Sequence, residues 1–159
     1  MGNRAEAAAV LRCVIGRECI AVTEARYWYG GRREGDAESL LHCWLHFQDT
    51  RPLMVHGSGE RLFLKFGEPY PPYDMGEHGE TRVGPARAPD LLASLPGHRL
   101  LNATLVQGFT TGPSVGGVLL RFDHVDLVLA SLADEWVLRR GEIPRELAPY
   151  LSLDYWLDG

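Results

Sequence analysis

One short stretch of the sequence has the pattern of a serine nucleophile. Residues 112–116 read Gly-Pro-Ser-Val-Gly, which matches the GxSxG signature of hydrolases. That signature works because a strand, a sharp turn and a helix expose the serine beside an oxyanion hole. Here the residues from Val118 to Phe122 alternate as a strand, so the required helix is not predicted. We therefore interpret Ser114 as a residue of a hairpin loop.

Two histidines four residues apart have the spacing of a metal site, provided that they lie on a helix. His42 and His46 flank Trp44 in a segment that alternates as a strand. On a strand the two histidines lie about 13 Å apart and cannot share one ion. The remaining histidines form no recognised ligand spacing: His56, His78, His98 and His124. The sequence therefore predicts no metal and no other cofactor.

Carboxylates recur at the predicted turns and could supply a general acid–base pair. Glu60 and Glu135 occupy matching positions beside two predicted hairpins, and Asp134 adjoins the second. Their recurrence with the hairpins indicates turn residues in contact with solvent. No phosphate-binding loop or dinucleotide fingerprint is present. The sequence therefore favours a protein that is not an enzyme.

Two aromatic clusters are candidates for binding a protein partner. Tyr27, Trp28 and Tyr29 precede a pair of glycines, and successive strand residues point to opposite faces, so at least one of the three turns away from the core. Tyr70 and Tyr73 lie in a proline-rich segment beside three acids. Tyr and Trp are favoured interface anchors because they bury a large area at a small cost in rotamer entropy. The predicted partner-binding residues are Tyr27, Trp28, Tyr29, Tyr70, Tyr73, Asp74, Glu77 and Glu80.

The charge distribution sets limits on the partner. The net charge is −5, and it divides into +1 for residues 1–66 and −6 for residues 67–159. An acidic surface repels phosphate backbones, so nucleic acid is not an expected partner. It would accelerate the approach of a basic protein. The expected partner is therefore a basic protein.

These candidates are positioned by what resembles an internal duplication. When residues 44–69 are placed beneath residues 119–144, Phe47 falls on Phe122, Met54 on Leu129 and Glu60 on Glu135. Each copy contains four short segments with strand-like alternation, separated by turns. Each copy is also preceded by a helical segment, residues 4–14 in the first and a shorter one at residues 90–95 in the second.

The predicted fold class is α+β and mostly antiparallel β. Two tandem (α)ββββ repeats share one core, in a rolled sheet or sandwich that the N-terminal helix covers. An alternative is two α+β lobes side by side. A single domain spans 1–159, with repeat one at 3–69, a Pro/Gly-rich inter-repeat loop at 67–89, repeat two at 90–151 and a docked C-terminal tail at 152–159. Five prolines argue against a central strand or a helix interior in the inter-repeat loop.

Cysteine content and hydropathy indicate the compartment. Cys13, Cys19 and Cys43 leave one thiol unpaired in any disulfide scheme, and no CxxC occurs. No signal peptide and no apolar run of about 18 residues is found, so neither export nor a membrane is predicted. The expected location is the cytoplasm.

Small size, acidity, a duplicated β-rich architecture and no recognised catalytic motif are together similar in general character to bacterial immunity proteins that neutralise toxins. The similarity is one of type, and no residue roles follow from it. The leading hypothesis is a cytosolic, non-enzymatic binding protein that masks a protein partner. The alternative is a small-ligand-binding or hydrolytic domain with its pocket at the junction of the two repeats.

Overall fold

The computed structural model describes residues 3–108 and 114–158. Most of these residues form antiparallel β structure, and one short helix lies at the N-terminus, as predicted for the α+β class. The helices are α1 (Asn3–Val14) and the single turn α2 (Asp36–Ser39), and 3-10 turns lie at Gly76–His78, Leu91–Ser94 and Arg145–Leu147. The strands are β1 (Glu18–Trp28), β2 (Leu40–Phe47), β3 (Leu53–Ser58), β4 (Arg61–Phe66), β5 (Tyr73–Asp74), β6 (Glu80–Pro85), β7 (His98–Gln107), β8 (Val115–Phe122), β9 (Asp126–Leu132), β10 (Glu135–Arg140) and β11 (Ser152–Trp156).

The strands form two antiparallel meanders joined at their first strands. The order across the sheet is β10-β9-β8-β7-β1-β2-β3-β4. β1 and β7 pair only at Glu18–Arg99 and Cys19–His98, and they diverge beyond that point. β6 then pairs with the free edge of β1, and β11 with the free edge of β7. We call residues 3–85 the first unit and residues 91–156 the second unit.

The core lies between the inner faces of the two units. The rings of Phe47 and Phe122 stack across it, nearly parallel, with 6.5 Å between their centroids. Both rings are buried, as are Leu45 and Leu120 two residues before them. The apolar face of α1 joins the same core, which agrees with the predicted helix over one open side. This burial is the main stabilising contribution to the fold.

Pairing in the two units follows the same register. Cys19 pairs with Phe47 in the first unit, as Leu100 pairs with Phe122 in the second, and a β-bulge follows each pair. A second bulge follows Ala25 in β1 and Val106 in β7. Both bulges therefore fall at corresponding positions of β1 and β7. Strand pairing makes Cys19 equivalent to Leu100, and Ala25 equivalent to Val106.

The connections into β1 and β7 are also alike. Gly16 and Gly97 both have φ of +91°, a left-handed conformation that favours glycine. The amide of Gly16 donates to the carbonyl of Leu100 at 2.7 Å, and the amide of Gly97 donates to the carbonyl of Cys19 at 2.7 Å. Each unit therefore fixes the start of the other unit's first strand.

The strand registers correct the sequence alignment by one position. Val55 pairs with Cys43, and Leu129 pairs with Val118, so Leu129 corresponds to Val55 and not to Met54. In the same way Glu60 corresponds to Asp134 and not to Glu135. The first unit has one more residue in the turn after β2, where the alignment had no gap. A duplication in the origin of the chain stays a prediction, because shared strand order does not establish common descent.

The inter-repeat loop at 67–89 was predicted to contain no central strand, and this was wrong. β6 lies within it and pairs with β1 from Thr23 to Trp28. Prolines did not prevent the strand because Pro85 is its last residue, while Thr81 and Val83 keep the alternation of a strand. Within the tail predicted to dock, Ser152–Trp156 form β11, the corresponding strand of the second unit. Each unit therefore has a returning strand that the predicted four-stranded repeats left out.

Candidate functional site

A cavity of about 480 Å³ lies between β1, β6 and the segment 86–90 that follows β6. Six of its twelve lining residues are charged, and a seventh is aromatic. The side chains concerned are Glu24, Arg26, Trp28, Arg33, Arg82, Arg87 and Asp90. The cavity therefore resembles a site for a charged ligand more than an apolar packing defect.

The floor of the cavity is a buried ion pair on the inner face of β1. Two nitrogens of the Arg26 guanidinium donate to the two oxygens of Glu24, each at 2.9 Å. The same guanidinium donates to Asp36 Oδ1 at 2.6 Å and to Ser39 Oγ at 3.0 Å. Bidentate pairing of this kind fixes both side chains. Arg26 therefore holds the floor in one geometry and has few donors left for a ligand.

Glu24 lies at a position that the second unit fills with an apolar side chain. Glu24 pairs with Cys43, as Leu105 pairs with Val118, and the two residues are 4% and 3% exposed. Burial raises the pKa of Glu24 above its ordinary value, and the hydrogen bonds and charge of Arg26 oppose this rise. Burying a charged pair costs free energy that a leucine does not cost.

The mouth of the cavity carries three further guanidinium groups. Arg82 lies over the ring of Trp28, 3.8 Å from its centroid, and pairs with Glu80 at 2.7 Å. Arg33 pairs with Asp90 at 2.6 Å. Arg87 is exposed and makes no ion pair with any residue that the structure describes. Because guanidinium groups match the geometry of carboxylates and phosphates, this mouth suits an anionic group.

Most of the predicted partner-binding residues lie together at one end of the first unit. The pairing of β6 with β1 sets Glu80 opposite Trp28, and the Tyr27 hydroxyl donates to the carbonyl of His78 at 2.7 Å. Tyr29 and Tyr73 are 61% and 49% exposed. The acids of this end are Asp74, Glu77 and Glu80; Asp74 accepts a hydrogen bond from the Gly76 amide at 2.7 Å.

Tyr70 adjoins this group, because its ring centroid lies 6.0 Å from that of Tyr73. It packs edge-on against Trp44, with 5.0 Å between ring centroids, and its hydroxyl lies 2.6 Å from His42 Nδ1. Burial raises the pKa of Tyr70 to about 12 and lowers the pKa of His42 to about 4, so the tyrosine donates and the histidine accepts. Tyr70 therefore covers part of the outer face of the first unit and is half-buried between Trp44 and Tyr73.

The histidines of β2 lie on a strand, as predicted. His42 is engaged by Tyr70, and His46 Nε2 lies 2.8 Å from the hydroxyl of Thr23. Trp44 between them is fully buried, although its indole nitrogen has no hydrogen-bond partner among the described residues. The face that carries these side chains is therefore covered by the chain itself.

Ser114 lies at the boundary of the described chain, and Gly112 and Pro113 of the GxSxG pattern lie outside the described residues. The serine is buried, and β8 begins at the next residue. A strand therefore follows where the nucleophile elbow requires a helix. The position of Ser114 agrees with the predicted hairpin and not with an elbow.

Glu60 and Asp134 belong to hairpin tips that contact each other. The Ala133 amide donates to Glu60 Oε1 at 3.0 Å, and the Asp134 amide donates to the carbonyl of Gly59 at 3.0 Å. The Asp134 carboxylate accepts from the Gly59 amide. These acids therefore join the two units and are more than the solvated turn residues that the sequence indicated. Glu135 is exposed on β10.

Sequence reasoning missed the cavity. Val22, Glu24 and Arg26 alternate along β1 and so share one face. Because Val22 faces the core, this spacing was a signal that a carboxylate and a guanidinium are buried together. Arg82 and Arg87 could not be placed in the same way, because β6 was not expected.

Comparison with family models, with curated proteins and with solved structures finds no match. Among the described residues, no helix is both long enough and apolar enough to cross a membrane. All three cysteines are free thiols, with Cys19 and Cys43 buried and Cys13 exposed.

Proposed function

We propose that this is a non-enzymatic binding protein whose site is the arginine-lined cavity, and that its ligand is a small molecule bearing a carboxylate or phosphate group. The observation that carries the proposal is the buried Glu24–Arg26 pair, which stands where the second unit has Leu105. The fold does not require charge at this position, since one unit forms without it. Departures of this kind from a well-packed apolar interior concentrate at functional sites.

The geometry of the mouth supports an anionic ligand. Arg26 and Asp90 position the wall, while Arg33, Arg82 and Arg87 place guanidinium groups around the opening. A ligand carboxylate or phosphate would replace water around Arg87 and share the donors of Arg33. Because Arg33 is already held by Asp90 and Arg82 by Trp28, Arg87 is the main side chain that binding would order.

Calorimetric titration with inorganic phosphate, succinate and adenosine monophosphate tests this proposal. At least one probe is expected to bind with one-to-one stoichiometry, and added salt is expected to weaken it. Arg87→Ala is expected to weaken binding about tenfold or more, since a hydrogen bond to a charged group contributes about 1.5–3 kcal/mol. Arg51→Ala, an exposed arginine outside the cavity, is the matched control. The absence of binding by all three probes, or equal effects of the two variants, would contradict the proposal.

A second candidate function is the masking of a basic protein partner. It is supported by the exposed Tyr29 and Tyr73 at one end of the first unit, beside Asp74, Glu77 and Glu80. Aromatic anchors with a charged rim are typical of protein interfaces. An immunity protein of a bacterial toxin system, located in the cytoplasm with reduced cysteines, is the form of this hypothesis that the composition favours.

A pull-down from the native host, followed by binding kinetics, distinguishes the two candidates. Tyr73→Ala should raise the dissociation rate by the factor that corresponds to about 2 kcal/mol of lost binding free energy. Tyr155→Ala, at an exposed position on β11 of the second unit, is the control. Charge reversal at Glu77 should slow association in a salt-dependent way. Point variants are required, because deletion of residues 74–84 would remove most of β6. An unchanged partner affinity in Tyr73→Ala would exclude this surface.

A further inference from the structure

A cluster of two histidines and one aspartate lies at the corner where β7 begins and β8 ends. His98 Nδ1 lies 2.7 Å from Asp123 Oδ1, and His124 Nδ1 lies 3.5 Å from the same oxygen. One donor atom from each side chain lies within 4.8 Å of the other two. The two imidazole rings stack nearly parallel, with 3.6 Å between centroids. The antiparallel pairing of Leu100 with Phe122 brings these distant parts of the sequence together.

The aspartate is held in place by the backbone of β7. The Arg99 amide donates to Asp123 Oδ2 at 3.1 Å, and the Asp123 amide donates to the carbonyl of Arg99 at 3.0 Å. One carboxylate oxygen is therefore fixed by the strand, and the other faces the two imidazoles. The edge of the His124 ring also contacts Phe122 of the core, with 6.2 Å between ring centroids. The aspartate is thus preorganised at the start of β7.

The corresponding corner of the first unit forms the same backbone contact without these side chains. By strand register His98 corresponds to Arg17, and Asp123 corresponds to Gln48. The Gln48 amide donates to the carbonyl of Glu18 at 2.9 Å, just as the Asp123 amide donates to that of Arg99. The backbone arrangement therefore does not require histidine or aspartate, and the cluster in the second unit calls for a different explanation.

We propose that His98, Asp123 and His124 form a binding site for a divalent transition-metal ion of the zinc type. Two imidazole nitrogens and one carboxylate oxygen are donors that such ions prefer over magnesium or calcium. Binding would displace any proton from the ring nitrogens that ligate the ion. At least one imidazole would also rotate out of the present stacked arrangement, so that both ring nitrogens point at the ion from about 2.0–2.2 Å. The side chains are between 27% and 43% exposed, so at least one coordination position faces solvent and is open to an external ligand.

Titration of chelator-treated, untagged protein with Zn²⁺ tests the site, and Co²⁺ absorption provides a second readout of the coordination. One equivalent of Zn²⁺ is expected to bind. The double variant His98→Arg with Asp123→Gln installs residues that the first unit already accommodates, so it is expected to fold and to lose Zn²⁺ affinity by at least tenfold. His124→Ala is expected to have a similar effect.

His78→Ala is the matched control, because His78 is exposed and lies outside the cluster. Unchanged Zn²⁺ affinity in the double variant would overturn the proposal. So would an equal loss in His78→Ala, or the absence of saturable Zn²⁺ binding to the unmodified protein. Far-ultraviolet circular dichroism and thermal unfolding of every variant separate a loss of ligands from a loss of the fold.

Discussion

The two units bury opposite kinds of side chain at the same place in their first strands. Glu24 on β1 and Leu105 on β7 occupy equivalent positions, and both face the interior. Leu105 contributes apolar burial and needs no partner. Glu24 requires Arg26, and Arg26 in turn requires Asp36 and Ser39. The first unit therefore uses a polar network where the second uses hydrophobic packing, and the cavity lies beside that network.

The outer face of the first unit is also more polar than the outer face of the second unit. The second unit covers its outer face with an apolar cluster that includes Val106, Leu119, Val128 and Leu151. The outer face of the first unit carries histidines and Trp44 beneath Tyr70. Since both units share strand order and register, the difference is not imposed by the fold. The proposed anion site therefore lies in the unit with the more polar interior and the more polar outer face.

The largest expected loss of stability concerns the core that the two units share. Phe47→Ala and Phe122→Ala should each lower the free energy of unfolding by about 3–5 kcal/mol, because each removes a buried ring and leaves a cavity. Similar losses are expected, since the two rings stack on each other across the core. Urea unfolding followed by circular dichroism measures both values. A large loss for one and a negligible loss for the other would show that the core belongs mainly to one unit.

The next largest change in stability concerns the Glu24–Arg26 ion pair, which only the first unit has. Arg26→Met alone should cost about 3–5 kcal/mol, because it leaves Glu24 buried without its counter-ion. Glu24→Leu combined with Arg26→Met gives position 24 the leucine that the second unit has at Leu105, and it removes the buried charge of Arg26. The free energy of unfolding of this double variant should be unchanged or higher by about 1–4 kcal/mol. Anion binding should be lost in the double variant even though it remains folded.

Urea unfolding of the two variants side by side checks the sign of this difference. If the double variant is as unstable as Arg26→Met, the ion pair is needed for folding and the comparison with Leu105 does not indicate function.

Much of the fold could be predicted from the sequence, because alternation and turn residues are local signals. Alternation predicts strands at residues 61–66 and 135–140, which are the limits of β4 and β10, and the other strands of the meanders differ from their predicted limits by a few residues. The faces of β1 were harder to predict. The spacing of Ile20 and Val22 predicts that both lie on one face of β1, but a bulge after Cys19 leaves Ile20 exposed while Val22 is buried. A bulge shifts the alternation by one residue and has no strong sequence signal.

The candidate sites were less predictable because their residues are distant in sequence. The cavity combines β1 with β6, and the prolines near β6 had argued against any strand there. His98 and His124 are 26 positions apart, so no ligand spacing could reveal them. Tyr70 and Tyr73 are close in sequence and were grouped for that reason. Their rings are in contact, with 6.0 Å between centroids, but Tyr70 is half-buried on the sheet face and Tyr73 is exposed.

A smaller effect should appear in the pH dependence of stability. Burial lowers the pKa of His42 to about 4, and burial also lowers the pKa values of His46 and His56. The unfolded chain, with ordinary histidine pKa values near 6.5, binds more protons between these limits. Stability should therefore be fully present above about pH 6.5 and should decrease as the pH falls toward 4.

Thermal unfolding midpoints measured at several pH values between 7.5 and 4.5 check this expectation. His42→Gln keeps an acceptor for Tyr70 but cannot be protonated, so it should reduce the slope. His78→Gln, at an exposed position, should leave the slope unchanged. An identical slope in His42→Gln would mean that the carboxylates of the protein, and not the covered face of the first unit, set its acid sensitivity.

The smallest effect compares the two tyrosines themselves. Tyr70→Phe removes the hydroxyl that donates to His42 at 2.6 Å and keeps the ring against Trp44. A hydrogen bond of this kind contributes about 1 kcal/mol net, so the free energy of unfolding should fall by about that amount. Tyr73→Phe removes a hydroxyl at an exposed position and should change stability by less than about 0.5 kcal/mol. Equal effects would show that the segment 67–72 does not hold Tyr70 on the outer face of β2, and Tyr70 would again be a candidate anchor beside Tyr73.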